Sequence, residues 1–301
     1  MNLFFLRSKF LKLLDLLFSF PARIWRYTPF RPVQSIDHPE IVHFVNKSNY
    51  FSEIQPIIGR VSNLEKDFLV CKEFLEKMPE LIPDPFHCEQ ASLELLTKAI
   101  AYRDLHKGME FSFLEKGVLR TYVVDYVFSL WKQIPAFGLL PKDKGVPILL
   151  FRGTDWSFHS SRGRASILSD FDFRSPGFCI YQQSSSQIRA WLHNKKARAM
   201  GFSLGGTLSM YTALFEPLSM HAEEPSICFN PAGVFQNVKS LWEEQNIKPP
   251  LICYITTADI VSKVGHLLGE VKEFSFPTQR RPNFLKTHTD LMFLYAENSP
   301  F

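Results

Sequence analysis

Residues 201–206 read GFSLGG, and this motif leaves the surrounding chain few ways to fold. It follows a short apolar segment at 197–202 and precedes a helical pattern over 206–215. A GxSxG sequence between a strand and a helix predicts an abrupt bend with the serine at its apex, because side chains at the flanking positions would clash. We expect the Ser203 hydroxyl to be exposed above a sheet, and the Leu204 N–H to lie at the helix start, where an anion is stabilised. The simpler interpretation is a glycine-rich turn without chemistry.

Strand and helix patterns alternate on both sides of this motif. A helical pattern covers 183–192, and the strand candidates of this part are 146–151, 197–202, 227–229, 251–255 and 271–276. Earlier strand candidates, joined by short turns such as the one at Lys116-Gly117, are 110–114, 119–128 and 133–140. The alternation predicts an α/β fold with a mostly parallel central sheet covered by helices on both faces.

The part of the chain before these strands has a helical pattern. Between residues 38 and 107 apolar residues recur at helix spacing in two stretches, separated by a proline-rich turn at 79–85. We therefore predict three parts: an amphipathic helix and linker at 1–37, a helical extension at 38–107 that packs on or continues into the catalytic domain, and an α/β domain at 108–301.

Composition excludes several classes of protein. Of the 301 residues 46% are hydrophobic and 21% are charged, which is typical of a folded domain with a large core. The net charge is +4, and residues 1–32 alone carry six basic residues against one acidic residue. The remainder is nearly neutral, so a nucleic-acid partner is not expected. Five widely spaced cysteines without a CxxC pair indicate buried free thiols in a reducing compartment rather than a zinc site or a disulfide framework.

Residues 2–20 form an apolar helical pattern with one narrow polar face, made by Ser8, Lys12, Asp15 and Ser19. The charge-free stretches are too short for a membrane-spanning helix, and no cleavage site of a secretory signal follows. Two alternatives stay open: the apolar face enters a membrane interface, or it docks on this protein or on a partner. We expect a cytoplasmic or peripheral membrane location, although export without a signal would leave no trace in the sequence.

A serine nucleophile needs a base and an orienting acid, and in this fold class they follow the serine in the order acid, then histidine. The candidates after Ser203 are Asp259, Asp290, His221, His266 and His288. Asp259 directly follows a predicted strand, where it is also a candidate helix N-cap, whereas Asp290 follows every histidine. We prefer His288, in the loop after the next strand, over His266, which belongs to an apparent helix at 260–268. His221 precedes Asp259 and is expected in a surface loop.

The segment FRGTD at 151–155 ends an apolar strand. A Gly-Thr pair at a strand end can place a backbone N–H and a hydroxyl beside the nucleophile, so Thr154 is a candidate second oxyanion donor. Arg152 is expected to fix the loop through a buried ion pair. The simpler interpretation of the whole segment is a turn.

Taken together, FRGTD, GFSLGG, YITTADIV and the late His288 resemble the class 3 lipase family of α/β-hydrolases. The resemblance runs from Pro147 to His288 and departs from the family at Phe202, where a histidine is usual. It implies Ser203, Asp259 and His288 as a catalytic triad, and Thr154 and Leu204 as oxyanion donors.

The resemblance also implies an ester hydrolase that acts on acyl lipids without a metal or organic cofactor. Residues 156–173 would form a lid over the site or, equally, an ordinary surface helix. Acyl transfer to an alcohol would use the same residues, and an amidase or a thioesterase is a narrower alternative. A non-catalytic protein that binds a membrane or a partner on a hydrolase scaffold is the rival from another class.

Overall fold

The computed structural model describes residues 54–82, 84–155, 170, 172, 174–256, 259–274, 288–289 and 291–294. Three predictions therefore lie outside the described residues: the amphipathic helix and linker at 1–37, nearly all of the segment 156–173, and Asp290.

In the part of the chain that the structure describes, eight strands form a single sheet in which the spatial order equals the chain order. The strands are β1 (Glu110–Glu115), β2 (Val118–Leu130), β3 (Ile134–Pro141), β4 (Ile148–Phe151), β5 (Arg198–Phe202), β6 (Ser226–Phe229), β7 (Leu251–Thr256) and β8 (Glu270–Phe274). Strands β1 to β4 pair antiparallel, and β4 to β8 pair parallel. The predicted α/β fold is confirmed, with a parallel carboxy-terminal part and an antiparallel amino-terminal part.

The helices among the described residues are α1 (Glu65–Leu81), α2 (Pro85–Lys98), α3 (Phe178–Leu192), α4 (Leu204–Phe215) and α5 (Gln236–Glu244). Helix α2 begins with an N-cap: the Asp84 side chain accepts the N–H of His87 at 2.8 Å, and proline occupies the first helical position. Both residue types are favoured at these positions. None of the described helices is both long and apolar enough to cross a bilayer.

Two hydrophobic clusters lie on opposite faces of the sheet. Neighbouring residues of one strand alternate between them: Leu150 belongs to the cluster that contains α1 and α2, and Leu149 to the cluster that contains α3, α4 and α5. Alternate side chains of a strand point to opposite faces, so both faces of the parallel part are covered by helices. Residues of α2 such as Leu93 and Leu96 pack in the same cluster as Met200 of β5.

The tight turn between β1 and β2 falls at the predicted place. Lys116 and Gly117 both have positive φ, at 51° and 74°, between the paired residues Glu115 and Val118. This combination is typical of a type I′ hairpin turn, whose twist matches that of the flanking strands.

Two local predictions are wrong. Helix α1 continues through Pro79 to Leu81, so the break between the two amino-terminal helices is shorter than the predicted turn. The apparent helix at 260–268 is only a 3₁₀ turn at Val261–Lys263, after which the chain forms an antiparallel bridge between Val234 and His266. Gly265 has a φ of 81°, which ends helical geometry at this position.

The five cysteines are all free, and four of them are buried. Burial raises the pKa of the Cys71 thiol to about 12, so this side chain behaves as a small apolar residue.

Candidate active site

Ser203 lies at a sharp bend between the end of β5 and the start of α4. Its backbone has φ 56° and ψ −125°, which is a strained conformation for a residue with a Cβ atom. The bend is held by its own N–H, which donates to the carbonyl oxygen of Phe229 on β6 at 3.0 Å. The predicted strand–turn–helix geometry is thus present.

The flanking glycines are required by close backbone approach. A Cβ atom on Gly201 would lie 2.2 Å from the carbonyl carbon of Gly205, and one on Gly205 would lie 2.5 Å from the carbonyl oxygen of Phe151. Both distances are far below van der Waals contact, so larger residues would force the bend open. The second contact also shows that the end of β4 touches the first turn of α4.

The hydroxyl of Ser203 does not meet the expectation of exposure, because the residue is only 5% exposed. The loop after β4 covers the bend from one side, since Gly153 packs against the backbone of Phe202, and a Cβ there would lie 2.5 Å from the Phe202 carbonyl oxygen. His288 lies on the Phe202 side chain, with the two ring centroids 4.7 Å apart.

Asp259 follows β7 and is fully buried. Its carboxylate accepts the N–H of Val261 at 3.1 Å and the hydroxyl of Ser262 at 2.5 Å, and it therefore caps the 3₁₀ turn that follows. Its Oδ2 also lies 3.0 Å from Nδ1 of His288. Burial by itself raises the pKa of Asp259, but the facing imidazole of His288 and these hydrogen bonds outweigh it, so the pKa lies below its usual value. Both sequence interpretations of Asp259, cap and histidine partner, describe its contacts.

His288 is 1% exposed, and its backbone is tied to the sheet. Its carbonyl oxygen accepts Nδ2 of Asn230 at 2.9 Å, while Oδ1 of Asn230 accepts the N–H of Thr256 at 2.9 Å. Asn230 follows β6 and has a φ of 42°. Its side-chain amide links the ends of β6 and β7 to the part of the chain that carries His288, whose described residues are 288–289 and 291–294 and which we call the histidine segment. Sequence reasoning did not single out Asn230, although a polar residue directly after an apolar strand is a usable signal.

Thr154 lies at the end of the β4 loop and is 1% exposed. Its hydroxyl donates to Oδ2 of Asp170 at 2.9 Å. Desolvation raises the pKa of the Asp170 carboxyl to about 7, against the smaller opposing effect of the Thr154 hydrogen bond. Leu204 is the first residue of α4, where backbone N–H groups lack intrahelical partners. The candidate oxyanion donors thus flank Ser203 from two elements in backbone contact, and Asp170 is a partner that the sequence analysis missed.

Arg152 contacts the amino-terminal helical region. Its Nε donates to the carbonyl oxygen of Ala101 at 2.7 Å, and its Nη2 donates to that of Arg103 at 2.9 Å. The loop is therefore held by charged hydrogen bonds to backbone carbonyls of the amino-terminal helical region.

The other two histidines lie elsewhere. His266 forms the bridge with Val234, exchanging backbone hydrogen bonds of 2.7 and 2.8 Å. The N–H of His221 donates to the carbonyl oxygen of Ala197, next to the start of β5, whereas Ser203 follows the end of that strand. Of the three candidates, His288 is the one that contacts Asp259 in the described part of the chain.

Within the described residues, no group of three or more His, Cys, Asp or Glu side chains is arranged to hold a metal ion.

The sheet has this order, a serine lies at a sharp strand–helix bend, and Asn230 links the histidine of a buried Asp–His pair to the ends of β6 and β7. These features define an α/β-hydrolase fold. Comparison with known proteins finds no matching family model and no matching curated sequence.

Solved structures that are similar include lipases of fungal origin. A structure titled as a fungal lipase has a TM-score of 0.46 at 12% identity, covering 71% of this chain and 96% of the other. The Rhizomucor miehei lipase in its propeptide complex has a TM-score of 0.36 at 16% identity, covering 47% of this chain. The nonglycosylated Yarrowia lipolytica LIP2 lipase has a TM-score of 0.35 at 15% identity, covering 50% of this chain. The aligned part of the chain spans 51% of the length of the Rhizomucor protein and 66% of the Yarrowia protein.

Proposed function

We propose that the chain is a serine hydrolase that cleaves acyl esters of lipids. The observation that carries the proposal is the contact of 3.0 Å between His288 Nδ1 and Asp259 Oδ2. The His288 ring packs on Phe202, the residue before a serine held in a strained bend at the end of a parallel strand. Buried histidine–carboxylate pairs next to such a serine are the arrangement that activates a hydroxyl nucleophile.

In the proposed reaction, Nε2 of His288 takes the proton from Ser203 as Oγ attacks the ester carbonyl carbon. The oxyanion is stabilised by the backbone N–H groups of Leu204 and Thr154, since the hydroxyl of Thr154 donates to Asp170. His288 then protonates the leaving alcohol, and an acyl group stays on Ser203. Water, activated by the same imidazole, releases the acid and restores the hydroxyl.

Asp259 supports both proton transfers. A carboxylate whose pKa is held below its usual value is ionised at neutral pH, so it stabilises the imidazolium that forms at each step. Its contact with Nδ1 also fixes the tautomer that leaves Nε2 to exchange a proton with Ser203.

The lipid class of substrate is supported by the sequence. The motifs at 151–155, 201–206 and 254–261 resemble those of class 3 lipases, and the sequence contains two apolar-rich segments, at 2–20 and 156–173. We further propose that residues 2–20 contact a membrane surface, where their basic residues would meet anionic lipid.

The test is turnover of p-nitrophenyl esters of short and long acyl chains, together with labelling by a fluorophosphonate probe. We expect Ser203→Ala to abolish labelling and to lower kcat/KM by about 10⁴-fold or more, with His288→Ala showing a similar loss. Ser209→Ala is a matched control, because Ser209 is also buried on α4 and its hydroxyl donates to the Gly205 carbonyl.

Labelling also measures whether a reagent reaches the buried hydroxyl. Equal turnover by wild type and Ser203→Ala would contradict the proposal. A wild-type protein that is not labelled, but binds liposomes only when residues 2–20 are present, would favour the non-catalytic alternative.

A further inference from the structure

A buried ion pair lies on the inner face of α2. Glu94 and Lys98 are both 0% exposed, and Oε1 of Glu94 lies 2.8 Å from Nζ of Lys98, one helical turn away. Two buried charges are costly unless each is paired and hydrogen-bonded, so the surroundings of this pair are informative.

The carboxylate of Glu94 also binds the backbone of the histidine segment. Oε1 accepts the N–H of Met292 at 2.7 Å, and Oε2 accepts the N–H of Phe293 at 3.0 Å. These residues form a 3₁₀ turn that begins four residues after His288. Asn230 binds the carbonyl of His288 itself. The histidine segment is therefore held at two places, by Asn230 at His288 and by Glu94 at the 3₁₀ turn that follows.

The lysine of the pair lies close to residues that pack next to His288. Nζ of Lys98 lies 5.1 Å from the ring centroid of Phe202, and the Phe202 ring packs against His288. The carbonyl oxygen of Lys98 accepts the N–H of Gly59 at 2.7 Å, and a Cβ on Gly59 would lie 3.5 Å from the Thr289 methyl group. Helix α2 therefore contacts the segment after His288 directly through Glu94, and Lys98 contacts two residues, Phe202 and Gly59, that pack next to His288 and Thr289.

We propose that Glu94 is a positioning residue for the reaction: by accepting two backbone N–H groups of the 292–293 turn, it holds the His288 imidazole against Asp259. The inference rests on the proposed function for its catalytic meaning, while the positioning itself is a structural property. It assigns the amino-terminal helical region a role in the active site.

Glutamine at this position tests the proposal because it keeps the size of glutamate and removes one acceptor. An amide has a single acceptor oxygen, so in Glu94→Gln one of the two backbone N–H groups faces an NH₂ donor. Glu89→Gln is the matched control: Glu89 is a buried carboxylate on the same helix that accepts the N–H of Lys116 at 2.9 Å, in the β1–β2 turn.

Two measurements separate positioning from general stability. The first is the pH profile of fluorophosphonate labelling, recorded at a temperature where both variants are folded. The second is the downfield proton resonance of the His288 Nδ1–H bound to Asp259, assigned by its loss in His288→Ala. We expect Glu94→Gln to slow labelling at least about 10-fold across the pH range, within the roughly 100-fold effect that a 1 Å misplacement can have. We expect its downfield resonance to broaden or disappear, and both readouts to stay unchanged in Glu89→Gln.

If Glu94→Gln does not fold, the charge-balanced variant Glu94→Gln with Lys98→Met takes its place, since it removes the buried ammonium together with the buried carboxylate. A labelled wild type with unchanged labelling and resonance in the Glu94 variant would overturn the inference. An unlabelled wild type whose resonance is lost in Glu94→Gln but kept in Glu89→Gln would overturn the proposed function and leave the positioning role in place.

Discussion

Asp170 and Asp259 are two carboxyl groups of the candidate site whose pKa values move in opposite directions. Desolvation raises the pKa of Asp170, and the hydrogen bond that it accepts from Thr154 opposes this effect only in part. Asp259 is also buried, but it faces an imidazole and accepts several hydrogen bonds, so its pKa falls. Environment thus separates two chemically identical groups, and it assigns the ionised one to the histidine.

The raised pKa of Asp170 predicts a pH-dependent stability. In the folded protein the pKa of this carboxyl is about 7, against 3.8 for an aspartate in the unfolded chain. Between these two pH values the native state therefore binds more protons than the unfolded state. Stability should therefore fall as pH rises from about 4 to about 7. Urea unfolding of wild type and Asp170→Asn at pH 5 and pH 8 measures this. The stability of the variant relative to wild type should therefore be higher at pH 8 than at pH 5.

Asp104→Asn serves as the control for Asp170, because Asp104 is exposed. It should shift the unfolding midpoint equally at the two pH values. A difference between wild type and Asp170→Asn that is the same at pH 5 and pH 8 would contradict the assignment of a titrating Asp170.

At the scale of elements, the bend between β5 and α4 combines a strained serine with glycines that admit the neighbouring backbone. The end of β4 comes so close to Gly205 that the loop carrying Thr154 is fixed against α4. Helix α2 binds the turn after His288 through Glu94, and Asn230 joins the ends of β6 and β7 to the carbonyl oxygen of His288. The site is therefore assembled from strand ends that are cross-linked by buried polar side chains.

The two glycines at the start of α4 should differ in their tolerance of alanine. A Cβ on Gly205 would lie 2.5 Å from a backbone oxygen, whereas one on Gly206 would lie 2.9 Å from the Pro231 side chain. We expect Gly205→Ala to destabilise by about 3 kcal/mol. In Gly206→Ala a gain of about 1 kcal/mol in helix propensity offsets part of the clash. Chemical denaturation measures both, and equal losses would argue against the close approach at Gly205.

At the scale of the whole molecule, both faces of the sheet must be covered by helices, and the amino-terminal helices α1 and α2 cover one of the two faces. At the end of β5 opposite Ser203, Arg198 is 1% exposed and donates from Nη2 to Oε1 of Glu115 at 2.6 Å. Its Nη1 lies 3.8 Å from Glu89 on α2. This group ties β5, β1 and α2 together far from the candidate site.

Breaking that group should lower stability without changing the chemistry. Arg198→Met removes one of the two arginines that pair with the buried Glu115 carboxylate, which keeps Arg120 at 2.9 Å. We therefore expect a loss of about 3 kcal/mol, at the lower end of the cost of breaking a buried pair. At about 2–4 °C per kcal/mol, we expect a fall in Tm of roughly 10 °C. Labelling of the folded fraction should stay unchanged. Arg189→Met is the control, because Arg189 is 64% exposed in its pair with Glu216, and it should move Tm by no more than about 4 °C.

Local patterns account for most of the elements. Turn geometry and burial periodicity depend on a few neighbouring residues. Short stretches of sequence therefore predict the GFSLGG bend, the Lys-Gly hairpin turn and the alternating strands and helices. The pattern at 260–268 misled for the same reason: its apolar spacing is helical, but the tertiary bridge between Val234 and His266 and the positive φ of Gly265 override it.

The sequence by itself determined the strand–bend–helix at Ser203 and a short set of acids and bases that could serve it, since chain order and residue chemistry restrict the choice. Only the tertiary structure decided that His288 rather than His266 meets Asp259, that Ser203 is covered, and that Glu94, Asn230 and Asp170 belong to the same neighbourhood. Contacts between residues as far apart as Glu94 and Met292 depend on how the helices and strand ends pack, and no local pattern encodes that packing.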